Sequence, residues 1–127
     1  MHPYVTLGAR DAAAARRFYD AVLATIGWGM HAEFPGWSVY SQGASGEGLN
    51  LMLCTPFDGR EASAGNGTMV GLPAPSREAV DAFHAAAMAR GGTDEGAPGP
   101  RPQYGGTWYA AYLRDPTGNK IAVVFNG

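Results

Sequence analysis

The sequence predicts an α+β fold of two similar βαβββ modules joined in one domain. Three observations predict it: an internal repeat, a change inside each copy from strand-like to helix-like periodicity, and glycine or proline at the expected boundaries. The repeat weighs most. Residues 4–27 superpose on residues 69–92 at a constant offset of 65, which sets Tyr4 on Met69. Eight positions are identical without a gap: Val5/Val70, Leu7/Leu72, Ala9/Ala74, Ala14/Ala79, Phe18/Phe83, Ala21/Ala86, Ala24/Ala89 and Gly27/Gly92. A unit present only twice is not a solenoid, which needs three or more stacked copies. It points to two modules about a pseudo-twofold axis, with the cleft between them as the natural place for a small molecule.

Tyr4–Gly8 reads as the first strand. Asp11 is a good helix N-cap, because its carboxylate can accept from free amides of the first turn. Ala15, Phe18, Tyr19, Val22 and Ile26 form one apolar stripe, which extends the helix to about Ile26. Gly27 ends it. Strands follow at about Trp28–Phe34, Trp37–Ser41 and Leu49–Thr55, with Pro35-Gly36 and the stretch 42–48 as turns.

Residues 57–67 show little periodicity and read as the linker between module one (about 1–56) and module two (about 68–127). Thr68–Leu72 is the next strand. Ser76 caps a second helix, Glu78 favours its positive end, and Gly91-Gly92 stop it. Val80, Phe83, His84 and Ala87 make its buried stripe. Residues 96–106 are rich in proline and glycine and read as an ordered loop, which leaves the second strand of module two obscure. Trp108–Arg114 and Lys120–Phe125 are the last strands, joined by the turn Asp115-Pro116-Thr117-Gly118-Asn119.

Bulk properties narrow the function. The chain has 127 residues, 46% of them hydrophobic, and a net charge of −2. One domain of ordinary globular composition follows, since each half alone would be marginal. With 9 Lys+Arg against 11 Asp+Glu and no basic run, no nucleic-acid partner is expected. Arg16-Arg17 reads as a solvated helix edge. The single Cys54 excludes an internal disulfide and a Cys-rich zinc site, and its apolar neighbours Leu51–Leu53 make it a buried hydrophobe rather than a nucleophile. No run suits a transmembrane helix and the start resembles no signal peptide, so a cytoplasmic protein without a membrane partner is expected. No Ser–His–Asp pattern, phosphate loop or dinucleotide fingerprint occurs.

Several motifs then resemble one family. Residues 109–121 (YAAYLRDPTGNKI) are similar to the final hairpin of the vicinal oxygen chelate superfamily, which includes glyoxalase I, bleomycin resistance proteins and extradiol dioxygenases. Val5-Thr6-Leu7 with residues 17–23 (RFYDAVL) resembles that family's opening, and Gly67-Thr68-Met69 with Ala82-Phe83-His84 its second half. The resemblance covers nearly the whole chain. It implies the glyoxalase/bleomycin resistance fold, in which paired βαβββ modules form a half-open cleft.

Catalytic members hold a divalent metal in that cleft, through residues on the first and last strands of each module. Carried over, those positions fall on Tyr4, Met69, Ala122 and, in module one's last strand, Met52. A phenol, two thioethers and a methyl stand where imidazoles and carboxylates are usual, so neither a metal nor another cofactor is expected. These four residues are then ligand-contacting cleft residues or core filler. Trp37 and Tyr109 join the expected cleft, with Tyr104 and Trp108 as further aromatic area suited to a flat molecule.

Other candidates carry bland explanations beside functional ones. His2 is a displaced ligand or a frayed terminal residue. His31 and Glu33 are an acid–base pair or a surface pair. His84 is a helix-stripe histidine. Asp115 is a turn residue. The leading expectation is a homodimer that binds a small apolar or aromatic molecule without the family's metal. The alternative is a lyase, isomerase, transferase or dioxygenase that uses a shifted metal site at His2 or metal-free acid–base chemistry at Tyr4. A third reading is a filled cleft and a protein that acts through its surfaces.

Overall fold

The computed structural model describes all residues, Met1–Gly127. Module one runs β1 (Tyr4–Gly8), α1 (Ala12–Ala24), β2 (Trp28–Phe34), β3 (Trp37–Gln42) and β4 (Asn50–Cys54). Module two runs β5 (Met69–Pro73), α2 (Arg77–Ala89), β6 (Thr93–Pro100), β7 (Trp108–Arg114) and β8 (Lys120–Asn126). Each module makes one four-stranded sheet, in the order β1-β4-β3-β2 or β5-β8-β7-β6. The first and last strands of each module pair in parallel, Tyr4 beside Asn50 and Met69 beside Lys120, and all other pairs are antiparallel.

The helix starts obey their caps. Asp11 Oδ1 accepts from the Ala14 amide at 3.1 Å, and Ser76 Oγ from the Ala79 amide at 3.0 Å. α1 ends at Ala24 rather than Ile26, because the amides of Thr25, Ile26 and Gly27 bond three residues back and tighten the last turn. Gly27, at φ +83°, then turns the chain into β2.

Residues 93–100 are a strand, so the first part of the expected loop, 96–100, is in β6. Pro98 and Pro100 are tolerated because β6 is an edge strand, where an absent amide hydrogen breaks no inner ladder. Its register slips between Asp94 and Gly96 and again between Gly96 and Gly99. Those irregularities hid the strand from any period-two pattern. Module two is thereby a complete βαβββ unit.

The modules meet through their helices, α1 against α2. Phe18, Tyr19, Val22 and Leu23 of α1 and Val80, Phe83 and Ala87 of α2 are buried in one core, with Leu7, Leu51, Leu53, Leu72, Ile121 and Val123 from the sheets. Gly92 of module two packs against Phe18 of module one. A Cβ there would lie 2.7 Å from Ala87 O and 3.0 Å from Phe18 Cε2, so no other residue fits without displacement.

A second tie between modules is polar. The Asp115 carboxylate is buried in the β7–β8 turn and accepts five hydrogen bonds. Oδ1 takes the amides of Thr117, Gly118 and Asn119, each at 2.9 Å. Oδ2 takes Asn119 Nδ2 at 2.9 Å and, from α1, the Tyr19 hydroxyl at 2.7 Å. Burial raises the pKa of Tyr19, with the Asp115 charge adding to it, so the phenol stays a donor. Asn119 Nδ2 also donates to Gly8 O of β1 at 2.9 Å. Asp115 is indeed a turn residue, and it locks the turn to the other module.

Candidate functional site

In a strand, alternate side chains face opposite sides. On β1 and β4, Val5, Leu7, Leu51 and Leu53 turn to the helices. Tyr4, Thr6 and Met52 therefore lie on the other face, where Thr6 and Met52 are register partners. Trp37, beside Cys54, shares that face. On β5 and β8, Val70, Leu72, Ile121 and Val123 turn inward, and Met69, Gly71, Ala122 and Val124 turn away. Both faces are open: Tyr4 is 52% and Met69 48% exposed.

Each face has its own hollow. Thr6, Gly8, Trp37 and Cys54 border a hollow of about 380 Å³ beside the linker residues Asp58, Glu61 and Ala62. Met69, Gly71, Trp108, Tyr112, Ala122 and Val124 border one of about 420 Å³ on the second sheet. The structure brings Met69 and Ala122 to one hollow and does not bring Tyr4 or Met52 to it. The sheets share no strand pair, so one chain presents two half-clefts rather than one cleft.

The second half-cleft is the more apolar, and its wall is aromatic. Trp108 and Tyr112 flank Ala110 on β7 and close over it, Trp108 Nε1 donating to the Tyr112 hydroxyl at 3.3 Å. Ala110 is fully buried as a result. Tyr104 packs edge-on to Trp108 with ring centroids 6.1 Å apart.

Tyr109 is not part of this wall. Strand alternation turns it toward α2, where its hydroxyl donates to Asp81 Oδ1 at 2.7 Å and Arg77 sits 5.0 Å from its ring centroid. The hydrogen bond to Asp81 raises its pKa. The signal in the sequence was parity: Trp108 and Tyr112 share a face that Tyr109 cannot.

The histidines are occupied. His2 Nδ1 accepts from the Gly48 amide at 3.3 Å. His31 Nδ1 lies 2.9 Å from the buried Ser41 hydroxyl, while Glu33 pairs with Arg16 of α1. A bulge between Met30 and Ala32 breaks the alternation that the His31–Glu33 pair required. His84 Nε2 lies 2.8 Å from Asp94 Oδ1, and that bond holds the Asp94 carboxyl below its usual range. Cys54 is buried, and desolvation raises its thiol pKa although Thr6 opposes it.

A hard divalent cation needs several oxygen or imidazole donors to replace its water shell. Tyr4 offers a phenol, Met52 and Met69 thioethers, and Ala122 nothing. No three His, Cys, Asp or Glu side chains gather anywhere in the chain to hold a metal. The residues present do not fit such an ion.

Residues 2–123 match the family model described as Glyoxalase/Bleomycin resistance protein/Dioxygenase superfamily. A glyoxalase/bleomycin resistance protein from Albidiferax ferrireducens T118 is 39% identical, with 98% of each chain covered and a TM-score of 0.86. A glyoxalase-related enzyme from Fulvimarina pelagi is similar in fold at 21% identity, covering 98% of this chain and 86% of the other, TM-score 0.76. Lactoylglutathione lyase from Agrobacterium tumefaciens is similar in fold at 21% identity, covering 97% and 91%, TM-score 0.65. No curated protein matches. No helix is long and apolar enough to cross a membrane.

Proposed function

The chain belongs to the glyoxalase/bleomycin resistance protein/dioxygenase superfamily, and from that premise we propose that it binds a small, largely apolar or aromatic molecule in a cleft stripped of the family's metal ligands. The observation that carries this is the hollow among Met69, Trp108, Tyr112 and Ala122. Apolar walls with few polar groups are what a small-molecule site needs.

The cleft is completed by a second copy. A twofold axis that sets the first sheet of one copy against the second sheet of the other makes two equivalent clefts. Each then gathers Tyr4, Trp37 and Met52 from one copy and Met69 and Ala122 from its partner. Charge favours the pairing: Asp58, which has no cationic partner, borders the first half-cleft, while Lys120, which has no carboxylate partner, lies beside Met69 at the second. Two exposed apolar faces are also covered at once. The reducing interior of a cell suits a chain whose one thiol is free.

An enzymatic role would rest on Tyr4 or His2. His2 already holds the Gly48 amide, and no base lies against the Tyr4 hydroxyl. The metal-free version requires the phenol, so Tyr4→Phe separates the two readings.

The test is a calorimetric titration with 2-naphthamide, a flat neutral probe, alongside sedimentation equilibrium. Saturable binding of one probe per chain is expected, with a particle of twice the 13.3 kDa chain mass. A monomer, or heat of dilution alone, would contradict the proposal.

A further inference from the structure

Arg101 carries a charge that the chain does not neutralise. No carboxylate pairs with its guanidinium. An unpaired surface cation is ordinary, but this one is half-buried and immobilised. Nη1 donates to Gly99 O at 2.9 Å and to Pro100 O at 3.4 Å, and Nη2 to Ala97 O at 2.8 Å. Two glycines of β6 clear the space: a Cβ on Gly96 or on Gly99 would come to 3.2 Å from a guanidinium nitrogen.

This cation borders the aromatic wall. Its Cζ stands 5.6 Å from the ring centroid of Tyr112, which lines the hollow on the second sheet. The Tyr112 hydroxyl accepts from Trp108, and its own proton has no acceptor in the chain. On Arg101, the three carbonyls leave Nε–H and one Nη2 hydrogen without an acceptor. Those neighbouring nitrogens suit the two oxygens of a carboxylate. The polar fittings beside the hollow are thus donors, one of them a fixed charge.

We propose that Arg101 is the anion-binding residue of the cleft, and that the ligand class is an aromatic carboxylate. Its ring lies against Trp108 and Tyr112, and its carboxylate meets the Arg101 fork. This rests on the reading of the cleft as a ligand site. An Arg held only to staple β6 would serve its carbonyls and be indifferent to ligand charge.

The test compares 2-naphthoate with its neutral isostere 2-naphthamide by calorimetry, in the wild-type protein, Arg101→Met and Arg101→Lys. The wild type should prefer the carboxylate by about tenfold or more, and added salt should shrink the preference. Arg101→Met should lower carboxylate affinity to about that of the amide and so abolish the preference, with the circular dichroism of the wild type retained. Arg101→Lys should keep part of it, as a charge without the fork. Equal affinity for both probes in the wild type, or a preference that survives Arg101→Met, overturns the assignment and leaves the cleft standing. Failure of both probes to bind defeats the cleft itself, and this assignment with it.

Discussion

Asp115→Ala is expected to leave the chain largely unfolded at room temperature. The substitution removes the sole acceptor of the Thr117 and Asn119 amides and of the Tyr19 hydroxyl, and one of two acceptors for the Gly118 amide and Asn119 Nδ2. Each buried partner left without a bond costs about 1–3 kcal/mol. Several together approach the roughly 5–15 kcal/mol that stabilises a whole domain. Tyr19 is fully buried in the core between the modules, so water reaches its hydroxyl only by opening that core. Asp115→Asn grades the effect. It keeps one oxygen for the turn amides and puts an amide group where Tyr19 and Asn119 donate, so about half the loss is expected. Urea unfolding followed by circular dichroism should rank wild type above Asp115→Asn above Asp115→Ala. An alanine variant within about 1 kcal/mol of wild type would mean that the turn holds without its carboxylate.

Gly71→Trp should abolish probe binding without loss of fold. Gly71 faces the second half-cleft beside Ala122, and a Cβ there meets nothing within 4 Å. Its φ lies outside the left-handed region, so a larger side chain brings no backbone strain. An indole grown from this position fills the hollow of about 420 Å³ that the ligand would enter. Replacing glycine in a strand should also add a few tenths to about 1 kcal/mol of stability. The expected result is a melting temperature unchanged or higher, with affinity for 2-naphthamide down by about 100-fold or more, near 2.7 kcal/mol. Unchanged affinity would place the ligand elsewhere.

The architecture was legible because it is written locally and twice. Asp11 and Ser76 announce their helices, the stripe through Phe18 and Phe83 repeats, and Asp115 to Asn119 spell a turn. β6 escaped because Pro98, Pro100 and two register slips erase alternation. The His31–Glu33 pair failed for the same kind of reason, a bulge that shifts one residue's face. Tyr109 faces α2 because strand parity sets it opposite Trp108 and Tyr112, so aromatic content alone does not place a ring in the cleft. Whether four positions meet depends on how two sheets face each other, and no local period encodes that. Arg101 was invisible too: its role needs the glycines of β6 to be seen beside it in space.

The most direct measurement is elemental analysis of protein purified without chelator and then dialysed against equimolar zinc, nickel or manganese. Positions carrying a phenol, two thioethers and a methyl should retain far less than one ion per chain. One tightly held equivalent, lost on Tyr4→Phe or Met69→Ala, would contradict the claim that this scaffold has exchanged its ion for an apolar guest.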